Sequence, residues 1–147
     1  MKILVLHGPN LNLLGRREPH IYGTTTLADI NQKLEAVAKE SGVELAVLQS
    51  NHEGALVDFL HKHIDSAAGA ILNPAGLTQF GVSLHDAIKT MPFPVIEVHI
   101  SNRHAREEWR HHSIISSAVK ATVEGLGWRS YTEALRAVVE LAREPKR

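Results

Sequence analysis

Short apolar runs alternate with amphipathic helical stretches along the whole chain, and that alternation restricts it to a parallel sheet wrapped by helices. Ile3 to Leu6 is a continuous apolar run closed by His7-Gly8-Pro9-Asn10, the pattern of a strand buried on both faces. Leu27, Ile30, Leu34, Val37 and Ala38 recur at helical spacing, and Ser41-Gly42 supplies a stop. Val43 to Leu48 predicts a second strand, and Glu53 to Ile64 a helix with Leu56, Val57, Leu60 and Ile64 on one face. Gly69 to Leu72 then predicts a third strand ending at Asn73-Pro74, Val82 to Lys89 a helix, Pro94 to Ile100 a fourth strand and Val119 to Val123 a fifth. Thr132 to Ala142 closes the pattern as a helix, and residues 143–147 are a charged tail expected to fray. Between the first strand and the first helix, Asn10 to Thr26 shows no clear period and is expected to be a long loop. In a compact domain such a loop is usually functional or disordered.

Five strands joined by helical crossovers imply an α/β fold of three layers, flavodoxin-like, with a five-stranded parallel sheet in the order 2-1-3-4-5 and one domain over residues 1–147. In such sheets ligands bind beyond the carboxyl ends of the strands, where the chain order reverses, here between the first and third strands. The residues just past the strand ends are Asn10, Asn73 and His99-Ile100-Ser101-Asn102, all able to converge on that crevice. The long loop lies over it. Gly15 and Gly23 can absorb backbone rotation at either end of the loop, which predicts a lid that closes on substrate.

Lysine plus arginine (16) equals aspartate plus glutamate (16), so bulk charge offers no footprint for nucleic acid or an anionic membrane, and any anion site must be local. Without cysteine there is no disulfide framework, zinc-thiolate site or thiol nucleophile. The opening apolar run is too short for a signal peptide and no stretch approaches a membrane span, so a cytoplasmic protein is expected. His61 and His63 do not face one another on a helix, and the adjacent His111-His112 make a poor chelate, so no metal is expected. The glycines at 8, 15 and 23 form neither a dinucleotide fingerprint nor a Walker loop, and no cofactor is expected.

Four blocks carry more specific information. His7-Gly-Pro-Asn-Leu-Asn-Leu-Leu-Gly-Arg-Arg-Glu-Pro-His-Ile-Tyr-Gly23, Gln49-Ser-Asn-His-Glu-Gly54, Ile71-Leu-Asn-Pro74, and Ile96-Glu-Val-His-Ile-Ser-Asn102 followed by Arg106-Glu-Glu-Trp-Arg110 resemble, in order, the signature segments of type II 3-dehydroquinate dehydratases. The resemblance covers almost the whole chain. It implies a lyase that dehydrates 3-dehydroquinate to 3-dehydroshikimate through an enolate, without Schiff base, metal or other cofactor. The setting would be the shikimate pathway of aromatic amino acid biosynthesis, or quinate catabolism.

Such a reaction needs a base for a carbon-bound proton, a donor for the enolate oxygen and an acid for the departing hydroxyl. Tyr22 matches the family's base; a phenol ionises near roughly 10 when unperturbed, and a neighbouring guanidinium such as that of Arg17 favours its ionised form. His99 matches the acid, and Glu97, two residues earlier on a strand, points to the same face, where it can orient the imidazole. Asn10 matches the residue that positions a water or donor at the enolate oxygen, though an asparagine after Gly-Pro equally suits a turn. The resemblance further implies that Ile100 and Ser101 hold the substrate carboxylate and that Asn73 and Arg110 hold hydroxyl groups. One block departs from the family. After Thr78 a His-Thr-Ser run is usual, whereas this chain has Gln79-Phe80-Gly81, and Pro74-Ala75-Gly76 stands in place of the more familiar Pro-Gly-Ala. Gln79 can both donate and accept, so it can replace the missing imidazole. The departure leaves open an enzyme with an altered hydroxy-acid substrate, and the architecture alone leaves open a flavodoxin-like binding module or a silent scaffold. Asp86 matches a residue that reaches a neighbouring subunit's site, implying a homo-oligomer, a dodecamer built from trimers.

Overall fold

Every residue of β3 (Gly69–Asn73) and β4 (Val95–His99) is buried, the mark of central strands covered on both faces. With β1 (Lys2–His7), β2 (Glu44–Gln49) and β5 (Ala121–Glu124) they form one all-parallel sheet in the order β2-β1-β3-β4-β5. The computed structural model describes residues 1–146. The helices are α1 (Pro19–Tyr22), α2 (Leu27–Ser41), α3 (Glu53–Lys62), α4 (Val82–Thr90) and α5 (Arg129–Arg143). The expected sheet and its order are both present. Arg147, the last residue of the tail expected to fray, lies outside the described residues, and α5 runs on to Arg143.

Two apolar layers sandwich the sheet because alternate strand residues point to opposite faces. Ile3, Val5, Ile71, Ile96 and Val98 pack with Ile30 and Leu34 of α2 and with Leu135 and Val138 of α5. Leu4, Leu6, Ala70, Leu72 and Val95 pack on the other side with Leu56 and Leu60 of α3 and Leu84 and Ile88 of α4. The same alternation sorts the polar residues at the strand ends. His7 and Asn73 follow Val5 and Ile71 toward α2 and α5, whereas Glu97 and His99 follow Val95 toward the opposite face.

Helix limits follow local chemistry. Thr26 caps α2 reciprocally with Asp29, and Gly42 ends it in a left-handed conformation. Several boundaries differ from the sequence expectation by one to three residues, the largest being β5, which begins at Ala121 rather than Val119, α3, which ends at Lys62 rather than Ile64, and α5, which begins at Arg129 rather than Thr132. A larger difference lies in the long loop. It holds a tight turn over Leu11–Leu13 and the single helical turn α1, started by Pro19 and stopped by Gly23. One turn is too short to leave a periodic trace. Among the described residues no helix is long and apolar enough to cross a membrane.

Candidate active site

A cavity of about 290 Å³ opens at the carboxyl ends of β1, β3 and β4, where the strand order predicts it. Asn10 follows β1, Asn73 and Gln79 belong to the end of β3 and the loop beyond it, and His99, Ile100, Ser101 and Arg110 belong to the end of β4 and its following loop. Arg17 and Tyr22 reach the cavity from the long loop. Tight approach of the β1 and β3 ends depends on Gly8, since a Cβ there would stand 2.6 Å from the Pro74 carbonyl oxygen.

His99 is hydrogen-bonded through Nε2 to Glu97, a residue with no solvent exposure. Glu97 also accepts from the hydroxyls of Ser113 (3.0 Å) and Ser116 (2.8 Å). Burial pushes the Glu97 carboxyl up, but the bonds from His99, Ser116 and Ser113 outweigh it and hold the group below the usual carboxylate range. Glu97 is therefore a fixed anion, and it leaves the second ring nitrogen of His99 for the cavity that the residue lines.

Tyr22 sits between charge and cavity. The guanidinium carbon of Arg17 lies 5.0 Å from the ring centroid, and that of Arg106 lies 5.1 Å from it. Arg106 is the residue that sequence reasoning passed over. It stands in the Arg106-Glu-Glu-Trp-Arg110 block, but nothing in the spacing puts residue 106 against residue 22. Arg103 and Arg110 also line the cavity, paired with Glu124 (2.8 Å) and Glu107 respectively. Arg17 and Arg106 have no carboxylate partner among the described residues. A chain of zero net charge thus concentrates positive charge at one cavity, as a local anion site requires.

Backbone strain gathers around the same cavity. Among the described residues, the non-glycine positions in the left-handed region are Asn10 (φ 68°), Glu18 (φ 38°) and Ala75 (φ 50°). Asparagine tolerates this conformation, and at Asn10 it sets the side chain toward the cavity while the backbone N–H donates to Asn51 Oδ1 at 2.9 Å. Alanine does not tolerate it as well. Ala75 is held there by its N–H, which donates to Asn73 Oδ1 at 3.0 Å, while a Cβ at Gly76 would meet open space. The double variant Ala75→Gly/Gly76→Ala is expected to be more stable by about 1 kcal/mol, since it relieves the left-handed alanine while the exchange leaves the freedom of the unfolded chain nearly unchanged. Denaturant unfolding measures it. A loss of stability would mean that Ala75 is unstrained.

Gln79 lies where the sequence departs from the family pattern. Its side-chain nitrogen donates to the carbonyls of His112 (3.2 Å) and Arg110 (3.5 Å), which leaves Oε1 as the atom free to meet a ligand. Phe80 beside it is 75% exposed at the cavity rim. Of the candidates, Glu97 stands behind His99 rather than in the cavity wall, and only Asp86 is carried away from the cavity altogether. It is exposed on α4, with Oδ1 2.8 Å from His85 Nδ1. His85 Nε2 is 3.1 Å from the Ser117 hydroxyl, but that hydroxyl donates to the Ile114 carbonyl, so the trio is not wired as a hydrolytic triad.

Comparison with known proteins points in one direction. A family model described as dehydroquinase class II matches residues 1–139. A 3-dehydroquinate dehydratase from Herpetosiphon aurantiacus is 52% identical over 135 residues, covering 92% of this chain and 94% of its own. The 3-dehydroquinate dehydratase 1 of Ralstonia nicotianae is 54% identical over 138 residues, covering 93% and 88%. Among solved structures, a type II dehydroquinase from Propionibacterium acnes superposes with a TM-score of 0.90 at 42% identity, covering 95% of this chain and 96% of that one.

Proposed function

Since the chain belongs to the class II dehydroquinase family, we propose that Tyr22 and His99 are the base and the acid of its reaction and that an enolate stands between their two steps. The reaction itself is the dehydration of 3-dehydroquinate in the shikimate pathway, so the chain is a lyase. The observation that carries the assignment is the make-up of the cavity wall. It includes no aspartate, glutamate, lysine or cysteine, and arginine keeps its proton, which leaves Tyr22 and His99 as the side chains able to exchange one.

Their surroundings divide the roles. Tyr22, flanked by two guanidinium groups and acting as a phenolate, takes the proton from the carbon next to the ketone; the C–H electron pair moves onto the ketone oxygen as an enolate. Asn10, fixed by its left-handed backbone, supports a donor at that oxygen. As the enolate collapses, its electrons form the new double bond and expel the hydroxyl. His99, with anionic Glu97 behind it, gives that hydroxyl a proton and water departs. Ile100, Ser101 and the nearby arginines would hold the substrate carboxylate, and Asn73, Gln79 and Arg110 its hydroxyl groups. Closure of the loop over the cavity would exclude water from the charged pair.

The same proposal extends to assembly and location. Asp86, exposed beside the apolar Val82 and facing away from its own cavity, suits a contact with a neighbouring subunit's site in a trimer, four of which make a dodecamer. A single catalytic domain acting in the cytoplasm completes the reading. No residue of the cavity can form an imine, so borohydride added with substrate should leave the enzyme fully active, and a chelator should leave turnover unchanged. Inactivation by borohydride would replace the enolate route with a Schiff base.

A further inference from the structure

Behind the cavity, on the face covered by α2 and α5, four polar side chains form a continuous hydrogen-bonded chain that the dehydration chemistry does not use. Asn73 Nδ2 is 3.1 Å from the Tyr131 hydroxyl, that hydroxyl is 2.9 Å from His7 Nδ1, and His7 Nε2 is 2.8 Å from Asn31 Oδ1. His7 and Tyr131 have no solvent exposure and Asn73 retains 4%.

One set of proton positions satisfies every link. The Ala75 N–H can only donate, which identifies the Asn73 atom it meets as the carbonyl oxygen and so fixes the amide's orientation. Asn73 Nδ2 then donates to Tyr131, the Tyr131 O–H donates to His7 Nδ1, and His7 carries its own proton on Nε2 and donates to Asn31. Burial lowers the His7 imidazole to about 4 against the opposing effect of Asn31, and burial likewise raises the Tyr131 phenol. Neither group is an acid or base near neutrality. Buried polar groups are costly unless fully paired, and here full pairing spans α2, β1, α5 and β3.

The consequence falls on Asn73, whose amide is clamped at both ends, by Ala75 at the oxygen and by Tyr131 at the nitrogen. One N–H and one lone pair remain for the cavity, in a single orientation. We propose that Tyr131 and His7 are positioning residues for substrate binding, acting through Asn73. The inference rests on the reading above that Asn73 meets a substrate hydroxyl.

A double-mutant cycle on kcat/KM tests it. Tyr131→Phe removes one oxygen and keeps the ring; it is expected to lower kcat/KM about tenfold, the effect of one misdirected hydrogen bond. In an Asn73→Ala background the same change should alter kcat/KM by less than about twofold, because the group being positioned is gone. Multiplying losses would overturn the proposal, as would a Tyr131→Phe enzyme of undiminished kcat/KM. An Asn73→Ala enzyme with normal kcat/KM would remove the substrate contact itself, and that outcome is recognisable apart from the others. A second pair of variants covers poor folding of Tyr131→Phe. His7→Asn places a carbonyl oxygen where Nδ1 accepts and should keep kcat/KM within about threefold, whereas His7→Leu should lose about tenfold. Equal losses in these two would also overturn the proposal.

Discussion

Tyr22→Phe is expected to lower kcat on the order of 10²- to 10⁴-fold with KM little changed. The substitution deletes only the phenolic oxygen. The ring keeps its place over the cavity and its contacts with the guanidinium groups of Arg17 and Arg106, so substrate still meets the arginines and asparagines that would bind it. What disappears is the only atom on that side of the cavity able to take a proton from carbon. Arg17→Lys should also be slow, because an ammonium cannot reproduce the flat guanidinium beside the ring. Stopped-flow or steady-state kinetics on the folded variant decides the matter, and near-normal kcat for Tyr22→Phe would eliminate Tyr22 as the base.

His99→Ala is expected to cost a comparable factor, on the order of 10²- to 10⁴-fold in kcat, by leaving the departing hydroxyl without a proton donor. Glu97→Gln probes the same step through a different property. The carboxylate is buried, accepts from Ser113, Ser116 and His99, and is held ionised by those bonds. An amide in its place loses the negative charge and turns an N–H toward groups that donate to Glu97. His99 then loses both its fixed orientation and the anion behind it, so kcat should fall about tenfold or more with KM little changed. Near-normal kcat for His99→Ala and for Glu97→Gln would refute the acid assignment.

Period and punctuation made most of the architecture legible. Continuous apolar runs at Ile3 to Leu6 and Gly69 to Leu72 mark strands covered on both faces, and the alternation with helical periods leads to the observed strand order. Residues fixed by local geometry were equally readable: Glu97 and His99 share a face because strands have period two, and they are hydrogen-bonded. Single-turn elements were not readable, and α1, which carries Tyr22, escaped for that reason. Contacts between distant segments escaped as well. Arg106 meets Tyr22 across 84 positions of sequence (106 − 22), and His7 meets Tyr131 across 124. The strain at Ala75 had a trace in the reversed Ala-Gly order, but only backbone angles turn that trace into a left-handed alanine.

Formation of the conjugated enone from 3-dehydroquinate by the purified protein, followed by ultraviolet absorbance, tests the central claim most directly. The expected result is steady accumulation of the enone chromophore with no added metal or nucleotide, abolished in parallel by Tyr22→Phe and His99→Ala. A pure, folded protein that yields no enone at saturating 3-dehydroquinate, or one whose turnover survives both substitutions, would contradict it.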